Sequence, residues 1–191
     1  MMQIVLASAS PRRRELVEML GFRDLVILPA VGEEYVDLTQ PPHEIVRQLA
    51  MNKAVEVSLK CEGHPLIVAA DTIVWYNNKV YGKPEDEEDA FRMLRSLSGH
   101  THSVFTGVAV LHNGQMDLRS DESRVTFREM SDEEIRGYIA TGEPMDKAGA
   151  YGAQGKGAVF VEHLDGDFFN VMGLPLCTLA QMLKQQGVEV F

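Results

Sequence analysis

The sequence contains little cysteine and no long apolar run, and these absences exclude two broad classes of protein. Its 191 residues include only two cysteines, Cys61 and Cys177, which rules out a framework of several disulfides and fits a reducing compartment. No apolar run approaches the roughly 20 residues of a membrane span. The opening residues, MMQIVLASASPRRR, contain too few apolar residues for a signal peptide. We therefore expect a cytoplasmic protein that binds no membrane.

The sequence also lacks excess positive charge, internal repeats and low-complexity linkers. Its 18 lysines and arginines are outnumbered by 28 aspartates and glutamates, which gives a net charge of −10. Because a phosphate backbone would be repelled on average, we expect no nucleic acid polymer as a partner, although a local basic pocket is compatible with this charge. In the absence of repeats and linkers, residues 1–191 are predicted to form one domain.

The hydrophobic pattern predicts an α/β protein with an antiparallel or mixed sheet. Two polar residues, Asp71 and Thr72, are predicted to interrupt the β segment at 66–84, and the segment 157–176 is predicted to form a β-hairpin. Helices are predicted at 11–20, 42–60, 84–99, 131–142 and 174–187, and hairpin turns at Asn77-Asn78 and Asn113-Gly114.

Three arginines, residues 12–14, stand where a helix normally carries acidic residues. Ser10 is a good N-cap, so the arginines fall in the first helical turn. Because that end of a helix carries partial positive charge, each cation there costs roughly 0.3–1 kcal/mol. Together with the hydroxyl of Ser8 and the free N–H groups of the helix, the guanidinium groups are equipped to bind phosphate. A solvated basic turn is the alternative.

Asp71 and Thr72 follow the apolar run LIVAA, which is predicted to be a buried strand. A carboxylate at the end of such a strand is well placed to meet a substrate or a metal ion, because ligands commonly bind there in open sheets. Lys53 and Lys83 lie close in sequence to these candidate elements and can bind anions. An ordinary turn for Asp71 and solvated positions for the lysines are the alternatives.

The segment DKAGAYGAQGKG, residues 146–157, combines four glycines with Gln154. Glycine allows the backbone to approach a ligand closely, and the amide of Gln154 can both donate and accept, as the reading of a base edge requires. A flexible loop is the alternative.

The acidic pair Glu33-Glu34 can ligate a hard cation together with Asp71. Mg²⁺ or Mn²⁺ fits best, because oxygen ligands dominate the candidates and no Cys/His cluster has zinc spacing. Simple surface exposure of the pair is the alternative.

These motifs, in this order, resemble the Maf proteins, a family of nucleoside triphosphate pyrophosphatases. The resemblance covers nearly the whole chain and is carried by LASASPRR, LAMNKA, AADT, GKP, LSGHTHSVFTGVAV, DKAGAYGAQGKGA and NVMGLPL. It implies an ITPase-like (Maf/Ham1) α/β fold, in which helices flank an elongated, twisted mixed sheet and two lobes surround a cleft.

The resemblance also implies the reaction and the roles of the candidate residues. The reaction is hydrolysis of the α–β phosphoanhydride, giving a nucleoside monophosphate and pyrophosphate, with Mg²⁺ or Mn²⁺ as cofactor. Members that act on dTTP and UTP carry an Arg, a Thr and a Gln at positions matching Arg12, Thr72 and Gln154, so these two nucleotides are the expected substrates. The implied catalytic residues are Asp71, Lys53 and Lys83; the substrate-binding residues are Ser8, Arg12, Arg13, Thr72 and Gln154; the metal ligands are Glu34 and Asp71.

The sequence leaves several alternatives open. Asp71 can either activate the attacking water or hold the metal. Modified pyrimidine triphosphates and methylated GTP are alternative substrates, although Thr72 and Gln154 argue against the latter. A nucleotide-binding regulator of septum formation is an alternative function, against which Asp71 and Glu34 argue, since a regulator needs no water-activating carboxylate. A homodimer is compatible with the resemblance.

Overall fold

The computed structural model describes residues 3–22, 25–32 and 35–190, which contain both strands and helices. The strands are β1 (Ile4–Leu6), β2 (Leu25–Ile27), β3 (Leu66–Tyr76), β4 (Lys79–Tyr81), β5 (Thr101–His112), β6 (Gln115–Phe127) and β7 (Val161–Asp165). The α-helices are α1 (Pro11–Glu18), α2 (Pro42–Ser58), α3 (Glu87–Leu97), α4 (Asp132–Ile139), α5 (Phe168–Met172) and α6 (Leu176–Gln185). Within these described ranges, no helix has both the length and the apolar character needed to cross a membrane.

The strands form one mixed sheet in the order β2-β1-β3-β5-β6-β7, with β4 paired to β3. Strand β1 pairs in parallel with β2 and with β3, so that Val5 lies opposite Val26 on one side and Ile67 on the other. Strands β4 and β7 pair antiparallel with β3 and β6. The parallel pairs depend on helical connections, because parallel strands cannot be joined by a tight turn. The predicted mixed α/β fold is therefore confirmed.

Strand β3 corrects one prediction. Asp71 and Thr72 do not interrupt it, because the strand is continuous from Leu66 to Tyr76. A strand is held by its backbone hydrogen bonds, which polar side chains leave intact. A charged side chain is tolerated there when it is paired, and Asp71 forms an ion pair with Lys53.

The hairpin predictions have mixed outcomes. The turns at Asn77-Asn78 and Asn113-Gly114 are confirmed, and all four residues have the positive φ that such tight turns require. The hairpin predicted over 157–176 is wrong, because β7 is followed by helix α5 instead of a second strand. The carboxylate of Asp167 accepts a hydrogen bond from the N–H of Phe169 at 2.7 Å, which satisfies a free donor at the start of that helix.

The chain divides into two compact units. Unit 1 comprises Met1–Asp71, Thr106–Asp121 and Gly173–Phe191, and unit 2 comprises Thr72–Phe105 and Glu122–Met172. The boundary between the units falls within β3, β5 and β6.

In unit 1, helix α2 buries the apolar positions whose spacing predicted it: Ile45, Val46, Leu49, Ala50, Ala54 and Val57. Gly107 on β5 permits the helix to approach, since a Cβ atom there would lie 2.2 Å from the carbonyl oxygen of Val46. This close packing fixes the position of α2 and of the side chains that it carries.

In unit 2, helices α3 and α4 contribute to a core that includes Phe127, Tyr151 and Phe160. Helix α4 begins with the predicted capping box, in which Ser131 and Glu134 each accept a hydrogen bond from the backbone N–H of the other. This cap fixes the start of the helix that precedes the glycine-rich segment.

Candidate active site

The N-terminus of α1 places two serine hydroxyls beside the arginines, as predicted. Ser10 is the N-cap, and its hydroxyl accepts a hydrogen bond from the N–H of Arg13 at 3.4 Å. The hydroxyl of Ser8 accepts one from the N–H of Ser10 at 3.2 Å, and Ser8 is only 6% exposed. The segment between β1 and α1 is therefore held by its own side chains.

The three arginines differ in their surroundings. The guanidinium of Arg13 donates through Nε to the carbonyl oxygen of Gly173 at 2.8 Å, with a longer contact of 3.5 Å from Nη1 to the Ser8 hydroxyl. Arg14 forms an exposed ion pair with Glu18 one turn along the helix. Arg12 is partly buried, and its side chain forms no hydrogen bond or ion pair with any residue in the described ranges. Arg12 and Arg13 thus differ from Arg14, which has a local counterion on the exposed side of the helix.

Lys53 on α2 and Asp71 on β3 form an ion pair in which the side chains are only 15% and 14% exposed. Because β1 and β3 run parallel, with Leu6 opposite Val68, the segment after β1 and Asp71 both lie beyond the carboxyl end of the paired residues. Within unit 1, the Lys53–Asp71 pair therefore lies on the same side of the β1–β3 pairing as the start of α1.

The remaining predicted residues, Thr72, Lys83 and Gln154, belong to unit 2. Thr72 is partly buried on β3, whereas Lys83 and Gln154 are exposed. The N–H of Gly149 donates to the carbonyl oxygen of Gly82 at 3.0 Å. This bond joins the glycine-rich segment that carries Gln154 to the segment that carries Lys83.

Of the two predicted metal ligands, the structure describes Asp71 but not Glu34. Glu34 lies outside the described residues, and within those residues no group of three or more His, Cys, Asp or Glu side chains is placed to hold a metal ion. The backbone N–H groups of Val31 and Gly32 donate to the carboxylate of Glu56 at 2.9 and 3.0 Å. Helix α2 therefore anchors the chain immediately before the acidic pair.

The carboxylate of Glu56, which accepts these two hydrogen bonds, has a lowered pKa. The hydrogen bond from Lys60 and those from the two backbone N–H groups lower the pKa of Glu56 from 4.5 to about 2. Glu56 accordingly remains ionised across the physiological pH range.

Sequence reasoning missed several residues that support the site. Gly173 orients Arg13 through its carbonyl group, and Glu56 anchors the segment at 31–32. Glu143 accepts hydrogen bonds from the backbone of the glycine-rich segment. The motif NVMGLPL contains Gly173, but its partner lies 160 residues away, and that distance hides the contact from any local pattern.

The arrangement can bind a phosphate chain and act on it. Guanidinium groups and a helix N-terminus stabilise charge on phosphate oxygens. A carboxylate beside an ammonium group can orient or deprotonate a water molecule, or share a cation with the phosphates. The chemistry that fits is therefore attack of water on a phosphoanhydride.

Comparison with known proteins identifies the fold of this chain and the family to which it belongs. The fold is similar to that of a HAM1 protein from Coxiella burnetii. The superposition covers 97% of this chain and 100% of the HAM1 chain, with a TM-score of 0.55 and 16% sequence identity. The family model described as "Maf-like protein" matches residues 3–186. A dTTP/UTP pyrophosphatase from Bacillus cereus is 45% identical over 190 residues, and one from Bacillus anthracis is 44% identical over 190; each comparison covers 100% of this chain and 98% of the relative. The chain belongs to the Maf family.

Proposed function

We propose that this chain hydrolyses dTTP and UTP to the nucleoside monophosphate and pyrophosphate. The observation that carries the proposal is its 44–45% identity, over the full chain, to relatives named dTTP/UTP pyrophosphatase. The partly buried Lys53–Asp71 pair and the basic N-terminus of α1 support it, because they supply the groups that the reaction needs.

In this proposal the cations act on the phosphates. Arg13, Lys53 and Lys83 stabilise the negative charge that spreads over the oxygens of the attacked phosphorus, and the hydroxyl of Ser8 donates to a phosphate oxygen. Asp71 orients and deprotonates the attacking water or holds the cation that activates it. Lys53 holds the Asp71 carboxylate in place in either role, because the two side chains form an ion pair.

A divalent cation, Mg²⁺ or Mn²⁺, belongs to this proposal. Asp71 and Glu34 are the proposed protein ligands. Since Mg²⁺ is commonly held by one or two carboxylates together with substrate phosphates, a dedicated cage of three side chains is not required. When bound, the cation would neutralise charge on the phosphate chain.

The proposed base-reading residues are Gln154, Thr72 and Arg12. A uracil or thymine edge presents two carbonyl acceptors around one N–H donor, which an amide side chain and further donors can match. Cytosine reverses part of that pattern, and a site built for one edge leaves buried polar groups unpaired with the other. Because dTTP and UTP share this edge, both are expected to be hydrolysed with little discrimination: the thymine methyl is worth at most about 1–3 kcal/mol, and only in a pocket fitted to it.

The decisive experiment incubates the purified protein with dTTP, UTP, CTP, dATP, dGTP and methylated GTP and measures pyrophosphate. We expect kcat/KM for dTTP and UTP to exceed that for the other nucleotides at least a hundredfold. Asp71→Asn serves as the inactive control, with a loss of about 10²–10⁴-fold, which is typical when a positioned acid–base group is removed. Preference for methylated GTP, or no pyrophosphate from any nucleotide, would contradict the proposal.

A matched pair of variants separates base reading from hydrolysis. Gln154→Glu removes the amide donor, and we expect it to reduce the UTP-to-CTP ratio of kcat/KM at least tenfold. Gln115→Glu adds the same charge at an exposed position and should leave the ratio unchanged. An unchanged ratio in Gln154→Glu would exclude Gln154 from base reading even if UTP were hydrolysed.

A further inference from the structure

The segment 146–157 presents Gln154 at an exposed position between buried residues. Tyr151 and Gly157 are buried on either side of it. The nearby backbone forms short 3-10 turns at Ala148–Ala150 and Lys156–Phe160. Such short turns do not by themselves hold a loop in one conformation, because their internal hydrogen bonds are few and poorly aligned. Side chains from elsewhere must therefore fix this segment.

Glu143 supplies most of these contacts on one flank. Its carboxylate accepts hydrogen bonds from the backbone N–H groups of Lys156 at 2.9 Å and Gly157 at 3.2 Å, and from the hydroxyl of Tyr138 at 2.8 Å. Burial opposes the charged form, but these hydrogen bonds and the charge of Lys147 outweigh it and hold the pKa of Glu143 below its ordinary value. At neutral pH the side chain is therefore a carboxylate with three donors directed at it.

Tyr138 extends the contact to the other flank. Its hydroxyl donates to Glu143 and accepts a hydrogen bond from the N–H of Gly152 at 3.0 Å. Because Gly152 and Gly157 lie on opposite sides of Gln154 in the sequence, a single Tyr–Glu pair holds both ends of the short stretch that carries the amide.

The glycines show how tightly this stretch is packed against the pair. A Cβ atom on Gly155 would lie 2.3 Å from Oε1 of Glu143, and one on Gly157 would lie 2.7 Å from the hydroxyl of Tyr138. The φ of Gly155 is −121°, so a left-handed backbone is not the reason for glycine there. The close approach that sequence analysis assigned to a ligand is, at these two positions, an approach to Glu143 and Tyr138.

We propose that Glu143, acting with Tyr138, is the positioning residue that orients Gln154 and thereby sets the discrimination between pyrimidine bases. This inference rests on the proposed function, in which Gln154 reads the base. Glu143 acts through the backbone of the segment, because its carboxylate accepts hydrogen bonds from the N–H groups of Lys156 and Gly157 and from the hydroxyl of Tyr138.

The test compares the kinetics of two variants with UTP and CTP. Glu143→Gln replaces one acceptor oxygen by a donor that faces donors, so at least one hydrogen bond is lost. We expect the KM for UTP to rise at least tenfold, kcat to stay within threefold, and the UTP-to-CTP ratio of kcat/KM to fall at least tenfold. Tyr138→Phe keeps the ring against Phe160 and should change the same quantities in the same direction, to a smaller extent.

A control variant and a second measurement complete the test. Glu133→Gln, on the exposed surface of α4, should leave every parameter within twofold of wild type. Hydrogen exchange of the Gly152, Lys156 and Gly157 amides in the nucleotide-free protein should accelerate at least tenfold in Glu143→Gln.

The inference would be overturned if amide exchange were unchanged in Glu143→Gln. It would also be overturned if the wild type prefers UTP to CTP and Glu143→Gln leaves the UTP-to-CTP ratio of kcat/KM unchanged. An equal loss of kcat for both nucleotides would also overturn it, since that result indicates general damage to the fold. If the wild type does not hydrolyse UTP, the proposed function and the substrate role of Glu143 both fail, while the exchange rates still decide whether Glu143 holds the segment.

Discussion

At the scale of single residues, neighbouring arginines in one helical turn have different environments. Arg13 is oriented by the carbonyl oxygen of Gly173 and lies near the Ser8 hydroxyl. Arg14 is 61% exposed and pairs with Glu18, an arrangement that contributes little to stability and is screened by salt. The sequence RRR therefore contains cations with different tasks, and the differences arise from what each side chain reaches.

This contrast predicts different effects for two substitutions of the same type. Arg13→Ala should lower kcat/KM for UTP roughly ten- to a hundredfold, since a charge-assisted contact to phosphate is worth about 1.5–3 kcal/mol. Arg14→Ala should lower it less than twofold. Steady-state kinetics measures both, and thermal unfolding of each variant checks that the fold is retained. Equal losses in the two variants would show that the arginines act through a diffuse field.

At the scale of elements, His102 joins strand β5 to the glycine-rich segment. Its Nε2 atom is hydrogen-bonded to the hydroxyl of Tyr151 at 2.8 Å, and its ring packs edge-on against Phe127 and Tyr151. Within the described residues, Nδ1 is buried and has no hydrogen-bond partner. Burial lowers the pKa of His102 from 6.5 to about 4, because the charged ring cannot be solvated there.

This buried histidine predicts acid-sensitive stability. Between pH 6.5 and about 4 the unfolded chain binds a proton at His102 that the folded chain does not, so the free energy of unfolding should fall as the pH falls. The full effect is on the order of 3 kcal/mol. His102→Gln, which cannot titrate, should reduce this pH dependence, and urea unfolding at pH 7, 6 and 5 measures it.

The matched control is His64→Gln, which removes an exposed imidazole and should leave the pH dependence unchanged. If His102→Gln and wild type lost stability in parallel over this range, other groups would account for the acid sensitivity.

At the scale of the whole molecule, we expect the proposed cation to serve the reaction and not the fold. Each unit contains its own apolar core, and burial of apolar side chains stabilises a fold without a metal ion. A cation held chiefly through substrate phosphates should leave the nucleotide-free protein unaffected by chelation.

Chelation should therefore stop turnover without melting the protein. We expect EDTA to abolish pyrophosphate release from UTP and to change the Tm of the nucleotide-free protein by less than about 1 °C. A UTP analogue with a methylene group between the α and β phosphorus atoms should stabilise the protein when Mg²⁺ is also present. At an analogue concentration about 100 times its Kd, the free energy of unfolding should rise by about 2.7 kcal/mol and Tm by roughly 5–10 °C. A large drop in Tm with EDTA alone would instead indicate a structural metal.

Local chemistry determined much of the fold. Helix α2 buries the apolar positions that its spacing predicted, Ser10 caps α1, and Ser131 and Glu134 form the predicted box. These features depend on residues within one or two helical turns of each other, so sequence alone contains the necessary information. The failed hairpin over 157–176 shows the limit, because tertiary contacts of the residues after β7 override their apolar pattern.

The sequence by itself determined which chemical groups this protein has: arginines at a helix start, a carboxylate in an apolar strand, and an amide among glycines. Only the tertiary structure decided how they are held. The Lys53–Asp71 pair, the bond from Arg13 to Gly173, and the approach of Glu143 to Gly155 join residues that are distant along the chain. Such contacts form only when sheet and helices are packed, because side-chain reach is a few ångströms while these partners are separated by up to 160 residues.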